Sequence, residues 1–204
     1  MSAWRAVILA AGAGTRMRSA TPKVLHSVCG VPLIQHVLVA LSDACFTKPV
    51  VVVPPDADAL KNYLGDNVDY VVQESPLGTG HALARAGERL GVEAENVLVI
   101  NADCPLIQAG AIQLLMACHE ENNADLTLMA AHGMEQTGFG RIVRDAAGNL
   151  TAIIEEHEAT PEQLSINEVN GGVYAFQSKS LWLRLATLKP SAKGEVYLTD
   201  MVDV

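Results

Sequence analysis

The feature of this 204-residue sequence that most limits its fold is a regular alternation of short apolar runs with longer segments of helical periodicity. The apolar runs predict strands at 6–10, 50–53, 70–72, 97–100 and 126–129. The segments between them predict helices over 32–42, 56–64, 79–90 and 109–122. This order favours an α/β fold, in which a Rossmann-like and mostly parallel sheet is flanked by helices. Ligands are then expected at the carboxyl ends of the strands.

The alternation of predicted strands and helices stops in the last third of the chain, after about residue 137. Three further apolar runs lie at 140–144, 150–154 and 173–176. Residues 145–149, Asp-Ala-Ala-Gly-Asn, separate the first two runs and are typical of a hairpin turn. We expect these runs to form a mixed β extension of the same sheet, covering one end of the cleft, within one domain that spans 1–204.

The charge of the chain is unevenly distributed. The net charge is −9, from 14 basic and 23 acidic residues, which argues against a nucleic-acid-binding protein with a broad positive surface. Residues 1–42 contain Arg5, Arg16, Arg18 and Lys23 but no acidic residue, so this segment carries +4 and the remainder −13. The cluster is either a local site for a small polyanion or a chance grouping of solvated side chains.

The spacing of the cysteines and the length of the apolar runs indicate the cellular compartment of the protein. Cysteines 29, 45, 104 and 118 form no C-x-x-C pair, which fits a reducing cytoplasm better than a disulfide framework or a zinc site. The apolar run at 6–11 is too short for the core of a signal peptide, and no run approaches the roughly 20 apolar residues of a membrane span. We therefore expect a cytoplasmic protein with neither a membrane nor a nucleic acid as partner.

A glycine-rich loop follows the first predicted strand. Its sequence is Leu9-Ala-Ala-Gly-Ala-Gly-Thr-Arg-Met17, and Pro22-Lys23 follows. Gly12 and Gly14 lack a Cβ, so backbone N–H groups can approach phosphate oxygens, while Arg16 and Lys23 supply positive charge. A dinucleotide fingerprint and a Walker A loop would both need glycine in place of Met17. A structural turn uses the same glycines, but the two cations without a nearby acid favour a phosphate loop.

Several further motifs occur in a fixed order along the chain. They are Pro22-Lys-Val-Leu-His26, Leu77-Gly-Thr-Gly-His-Ala82, Gly138-Phe-Gly-Arg141, Glu168-Val-Asn-Gly-Gly172 and Gly194-Glu-Val-Tyr-Leu-Thr-Asp200. Together with the glycine loop and Gln73, they resemble the uridyltransferase domain of the bacterial N-acetylglucosamine-1-phosphate uridyltransferases, which also carry a glucosamine-1-phosphate acetyltransferase domain. The resemblance covers essentially the whole chain. It implies a nucleotidyltransferase fold and a Mg²⁺-dependent reaction of UTP with N-acetylglucosamine 1-phosphate that releases pyrophosphate and supplies cell-wall synthesis.

The resemblance also implies roles for individual residues. Arg16 and Lys23 would be catalytic. The nucleotide would contact Leu9, Ala10, Ala11, Gly12, Gly14, Gln73, Gly78 and Thr79. The sugar would contact Gly140, Glu155, Asn170, Tyr197 and Thr199. Asp103 would bind Mg²⁺ at the carboxyl end of its strand, beside the phosphate loop.

The residues by themselves leave alternatives for some of these roles. Gln73 could be an ordinary polar strand end, and Asp103 an ordinary turn residue. For His81, capping or packing at a helix start is favoured over catalysis. The assignment of Glu155 rather than Glu156 rests on its spacing to Asn170, and an exposed acidic turn is the alternative.

The sequence departs from the family at three places, and one of them is the absence of the family's usual lysine near His157. The family usually has glycine before the metal-binding Asp and often tyrosine before that, whereas this chain has Asn101-Ala102, so the Ala102 methyl is expected to crowd the sugar or ribose. In the family, a second metal ligand, an Asn, and a β-helix acetyltransferase domain lie beyond the position where this sequence ends. We expect a truncated domain that is monomeric, lacks the trimer of its full-length relatives and holds its metal loosely.

Two other functions compete with this one. Another nucleotidyltransferase with the same loop could make cytidylylated isoprenoid or molybdopterin precursors, or could be a thymidylyltransferase. A catalytically incomplete nucleotide-binding module is the alternative outside the enzymes. A preference for CTP or dTTP over UTP would favour the first, and binding without turnover the second.

Overall fold

The computed structural model describes residues 3–12, 14, 17–90, 94–133 and 137–203. The strands are β1 Trp4–Leu9, β2 Ser27–Val28, β3 Val31–Pro32, β4 Val50–Val53, β5 Asp69–Val72, β6 Asn96–Asn101, β7 Leu126–His132, β8 Arg141–Arg144, β9 Leu150–Ile154 and β10 Glu168–Gln177. The α-helices are α1 Leu33–Asp43, α2 Asp58–Leu64, α3 Thr79–Leu90, α4 Ala109–Glu121, α5 Pro161–Leu164 and α6 Ser178–Leu185. Short 3₁₀ helices cover Lys23–Leu25, Gly65–Asn67 and Leu198–Asp203.

Eight of the strands form one mixed sheet. Its order is β5-β4-β1-β6-β10-β8-β9, and β7 pairs with β10. The first four strands of this order are parallel, and β10 runs antiparallel to β6, β7 and β8. The chain leaves β1 toward β4 and β5 and later returns to the other side of β1 as β6. The carboxyl ends of β1 and β6 therefore flank a switch point, where α/β sheets bind ligands.

Two apolar clusters cover the two faces of the sheet. One contains Ile8, Leu98 and Ile100 and packs against α1 and α4, and the other contains Val97 and Val99 and packs against α3 and α6. Both faces of the central strands are buried, which explains why they read as continuous apolar runs rather than as an alternating pattern.

The α/β order and the hairpin predicted from the sequence are confirmed. Strands β8 and β9 pair antiparallel around the predicted turn. The predicted run at 173–176 proves too short, because β10 spans ten residues and pairs with three other strands. The β2–β3 hairpin and α6 were not predicted. Helix α6 buries only Ser178, Leu181 and Leu185 and leaves Leu183 66% exposed, so its apolar pattern is weak.

A pair of glycines lets β10 pass close to its neighbours. The register between β10 and β7 shifts between Asn170 and Tyr174. A Cβ on Gly171 would lie 2.7 Å from the carbonyl oxygen of Met129, and Gly172 has a φ of +71°. This irregularity places Asn170 and Tyr174 at one wall of the cleft described below.

Within the described part of the chain, none of the helices has both the length and the apolar character that crossing a bilayer would require.

Candidate active site

A cleft of two adjoining cavities opens at the carboxyl ends of β1, β5 and β6. Cavity A, of about 530 Å³, is lined by the glycine loop, Lys23 and the segment after β5. Cavity B, of about 400 Å³, is lined by residues of the β extension. Thr79, Asn101 and Asp103 line both cavities, so the two adjoin at these three residues. A larger cavity of about 750 Å³ at Asn96 and Trp182 contains none of the motif residues.

The glycine loop forms one wall of cavity A. Leu9, Ala10, Ala11 and Gly12 line it, and the first two are buried because they continue β1. Gly14 has a φ of +59°, and a Cβ there would lie 2.7 Å from the Cβ of Lys23. This glycine is therefore needed for the loop to pass beside the lysine. Arg16, the other predicted catalytic residue, lies outside the described residues.

The predicted catalytic lysine and the predicted metal ligand are direct partners. The Lys23 ammonium donates a hydrogen bond to Asp103 Oδ2 in an ion pair. Both side chains are about one third exposed, at 36% and 34%, so water and solutes reach the pair. Without bound ligands, the cation of one wall and the carboxylate of the other neutralise each other.

Gln73 lies directly after β5 and is 5% exposed. Its amide Nε2 donates a hydrogen bond to the carbonyl oxygen of Gly78 at 3.0 Å and lies 3.0 Å from Nδ1 of His81. Gly78 has a φ of +96°, which favours glycine. Both Gln73 and Gly78 line cavity A, as does Thr79, the first residue of α3.

The motif at residues 194–200 supports the loop between β5 and α3 through hydrogen bonds. Val196 exchanges backbone hydrogen bonds with Leu77 and Gly80, each at 2.8 Å, and a Cβ on Gly78 would overlap with the Val196 carbonyl. The Leu198 N–H donates to the Thr79 hydroxyl at 2.9 Å. The motif therefore fixes the position of the loop that lines cavity A.

Cavity B collects most of the predicted sugar-binding residues. Gly140, Glu155, Asn170 and Thr199 all line it. The Thr199 hydroxyl donates to Glu155 Oε1 at 3.2 Å, whereas the neighbouring Glu156 carboxylate lies 4.0 Å from Arg141. Burial raises the pKa of Glu155, and the hydrogen bond from Thr199 only partly opposes this effect.

Two residues of cavity B were missed by the sequence reasoning. Tyr174 accepts a hydrogen bond from the Asn170 amide at 2.6 Å, and burial raises the pKa of its phenol, so it stays protonated. Because Tyr174 lies within an apolar strand, the sequence pattern does not distinguish it from a core residue. Burial likewise raises the pKa of Cys104 to about 11, with the Asp103 charge as a second cause. Its thiol is neutral at pH 7 and contributes no nucleophile.

The structure bears on two further sequence-based expectations. Tyr197 is not among the described residues that line cavity B; it is 8% exposed, and its ring packs edge-on against His157 with centroids 6.1 Å apart. Its role in sugar binding stays a prediction. Ala102 lines cavity A, but it is 1% exposed and belongs to the apolar core with Leu98 and Ile100, so little of its methyl group reaches the ligand space. The neighbouring Asn101 lines both cavities.

The sequence profile of the MobA-like NTP transferase domain matches residues 6–199, nearly the whole chain. The chain belongs to the MobA-like NTP transferase domain family. Two solved structures, UDP-glucose pyrophosphorylase complexed with UDP-glucose and the apo form of such an enzyme, superpose on this domain with TM-scores of 0.79 and 0.80. Each is 19% identical to it, and the match covers 100% of this chain and 86% of theirs. At this identity the likeness shows the shared nucleotidyltransferase-type fold.

Curated relatives of this transferase domain are closer in sequence. The Bifunctional protein GlmU of Heliobacterium modesticaldum is 43% identical over 200 residues, and that of Halalkalibacterium halodurans is 44% identical over 200 residues. Each match covers 98% of this chain. The chain spans 44% of the length of these relatives.

A divalent cation fits this transferase site through one protein ligand. No group of three or more His, Cys, Asp or Glu side chains within the described residues could hold a metal. Among the described residues that line both cavities, Asp103 is the one with a carboxylate, and that side chain is partly exposed. Mg²⁺ suits such a site, because it keeps several waters and takes phosphate oxygens of the substrate as ligands.

Proposed function

We propose that this chain transfers a uridylyl group from UTP to a sugar 1-phosphate, with N-acetylglucosamine 1-phosphate as the preferred acceptor. The observation that carries the proposal is the shared boundary of the two cavities at Thr79, Asn101 and Asp103. A nucleotide in cavity A and a sugar phosphate in cavity B would bring their phosphates together at this boundary, beside Lys23.

The polar groups of cavity A support a pyrimidine with a ring N–H. The Gln73 amide nitrogen already donates to Gly78, so the side chain presents its carbonyl oxygen as an acceptor. Uracil offers a donor at N3, whereas cytosine offers only a lone pair there. A buried acceptor left without a donor is costly, so we expect UTP to be preferred over CTP by on the order of 100-fold.

The polar groups of cavity B support a sugar with several hydroxyl groups. Glu155 offers carboxylate oxygens, Thr199 a hydroxyl and Asn170 an amide. Such groups can pair with vicinal hydroxyls and an acetamido group. The GlmU relatives, 40–44% identical to this chain, support N-acetylglucosamine 1-phosphate among the sugar phosphates.

The reaction is one in-line displacement. A phosphate oxygen of the sugar phosphate forms a bond to the α-phosphorus of UTP as the bond to the β-phosphate oxygen breaks, and pyrophosphate leaves. The nucleophile is already an anion, so no side chain has to remove its proton. The contribution of the protein is to align two polyanions and stabilise the charge of the transition state, the role we assign to Lys23, Arg16 and the loop amides.

Asp103 would hold Mg²⁺ together with phosphate oxygens and water. The bound ion would offset the negative charge of the phosphates and help to orient them. With Asp103 engaged in this way, Lys23 would be free to bind the phosphates instead.

The remaining parts of the proposal concern domain organisation, assembly and compartment. We propose that residues 1–204 form a single domain that is monomeric and acts in the cytoplasm. Cys29, Cys45, Cys104 and Cys118 are all free thiols, which suits a reducing compartment.

A substrate panel tests the proposal. Pyrophosphate release is measured with UTP, CTP or dTTP against N-acetylglucosamine 1-phosphate and glucose 1-phosphate. The proposal expects the highest kcat/KM for UTP with N-acetylglucosamine 1-phosphate. Faster release with CTP would assign the chain to a cytidylyltransferase and contradict it.

A further inference from the structure

Building on the proposed uridylyl transfer, we propose that His81 is a positioning residue that holds the Gln73 amide in the orientation that selects uracil over cytosine. The imidazole would act through Gln73 rather than through contact with the base. This role differs from the helix capping or packing expected from the sequence.

The orientation of the amide follows from its two neighbours. The Gly78 carbonyl oxygen can only accept, so the Gln73 atom 3.0 Å away from it must be the amino nitrogen. That same nitrogen lies 3.0 Å from His81 Nδ1. His81 Nδ1 must therefore accept, and the neutral ring carries its proton on Nε2.

These two contacts use both hydrogens of the amino group. The carbonyl oxygen Oε1 is then the one polar atom of the Gln73 side chain without a partner among the described residues. A reversed amide would face cytosine with a donor, which its N3 accepts. The same reversal would place Oε1 against the oxygen of Gly78, and it would require the His81 proton to move from Nε2 to Nδ1, so the Gly78 carbonyl and the inferred His81 tautomer both oppose it.

The surrounding structure gives His81 a fixed position. It lies in the first turn of α3, and the preceding loop is braced by hydrogen bonds of Val196 to Leu77 and Gly80. A rigid platform of this kind holds a supporting hydrogen bond to the accuracy that recognition requires. Gln73 itself is 5% exposed, so water does not compensate for a lost partner.

The test compares three variants with the wild type. His81→Phe keeps a planar ring but removes the acceptor. His81→Asp restores an acceptor that cannot donate when ionised, and the effect of its charge on the triphosphate, which UTP and CTP share, cancels in their ratio. His36→Phe is the matched control, because His36 lies on α1 and its imidazole contacts the Val28 carbonyl oxygen, away from both cavities.

The readout is the ratio of kcat/KM for UTP to that for CTP, with thermal melting of each variant. We expect His81→Phe to lower the ratio about fivefold, which is the effect of losing one of two hydrogen bonds that fix the amide. The change should fall on KM rather than kcat, since the base contact is the same in ground and transition states. His81→Asp and His36→Phe should keep the wild-type ratio.

An unchanged ratio in His81→Phe would overturn the inference. An equal loss in His81→Phe and His81→Asp would also overturn it, because the acceptor would then be irrelevant. If the wild-type protein prefers UTP over CTP, either of these two results leaves the proposed function intact. A wild type that does not prefer UTP over CTP would contradict the proposed function itself.

Discussion

Lys23 and Asp103 form an ion pair across the cleft, although they are 80 positions apart in the sequence. The lysine follows the glycine loop, and the aspartate follows β6. Under the proposed function each has another partner, because phosphates attract the lysine and a divalent cation attracts the carboxylate. Binding of nucleotide and binding of metal therefore each free a group that the other ligand uses, which couples the two events.

The lysine can be tested by truncation. Lys23→Ala is expected to lower kcat by about 100-fold or more, because it removes a positive charge from the transition state. Its melting temperature should stay close to that of the wild type, since the side chain is 36% exposed and the pair it loses is worth at most about 1 kcal/mol. Lys48→Ala, which loses an ion pair with Asp69 outside the cleft, is the control and should retain full activity. Equal turnover in Lys23→Ala and wild type would remove the lysine from the mechanism.

The metal requirement can be tested through Asp103. We expect Asp103→Asn to need at least about tenfold more Mg²⁺ for half-maximal pyrophosphate release, because a neutral amide replaces the one carboxylate at the junction of the cavities. Titration of Mg²⁺ at saturating UTP gives the value. Asp56→Asn alters an exposed loop carboxylate and should leave it unchanged. An identical Mg²⁺ requirement in all three proteins would show that Asp103 does not hold the ion.

Gly78 can be compared with a glycine that has a similar backbone. Gly148→Ala places a Cβ in open space at a φ of +86°, so it should cost only the backbone strain, about 1–2 kcal/mol. Gly78→Ala adds an overlap with the Val196 carbonyl at a φ of +96°, and we expect it to lower the free energy of unfolding by more than about 3 kcal/mol. Urea denaturation of the two variants measures the difference. Equal losses would mean that the loop does not pack against Val196 as described.

Glu155 gives a prediction about pH. Burial raises its pKa in the folded state above the ordinary value of 4.5, so the folded protein binds more protons than the unfolded one between those two values. The free energy of unfolding should therefore fall as pH rises through this window. Glu155→Gln should lose this contribution, whereas Glu156→Gln, at the carboxylate near Arg141, should keep it. Denaturant unfolding from pH 4 to pH 8 checks the slopes, and matching slopes in Glu155→Gln and wild type would contradict the burial effect.

Much of this fold could be predicted because local sequence determines it directly. The parallel strands are apolar on both faces, and the helices between them are long enough to show their period. The full length of β10 could not be predicted, because it depends on pairing with β6, β7 and β8, and these partners lie far apart in the sequence. Register between distant strands leaves little local trace.

The candidate site likewise contains residues that could be predicted from local sequence and residues that could not. The glycine loop, Gln73 and Asp103 follow strands, so the topology of the sheet brings them together as expected. Tyr174 and Asn101 lie within or at the end of apolar strands, and only the pleat decides that they face the cleft. The same alternation buries Ala102 in the apolar core, although this residue also lines cavity A.

The measurement that tests the central claim most directly is the formation of product from UTP and N-acetylglucosamine 1-phosphate with Mg²⁺, followed by chromatography of nucleotide sugars and by pyrophosphate release. The account predicts UDP-N-acetylglucosamine and pyrophosphate in equal amounts, with both abolished by EDTA. Binding of UTP and of the sugar phosphate without release of either product would contradict it, and would show that the chain is a nucleotide-binding module rather than a transferase.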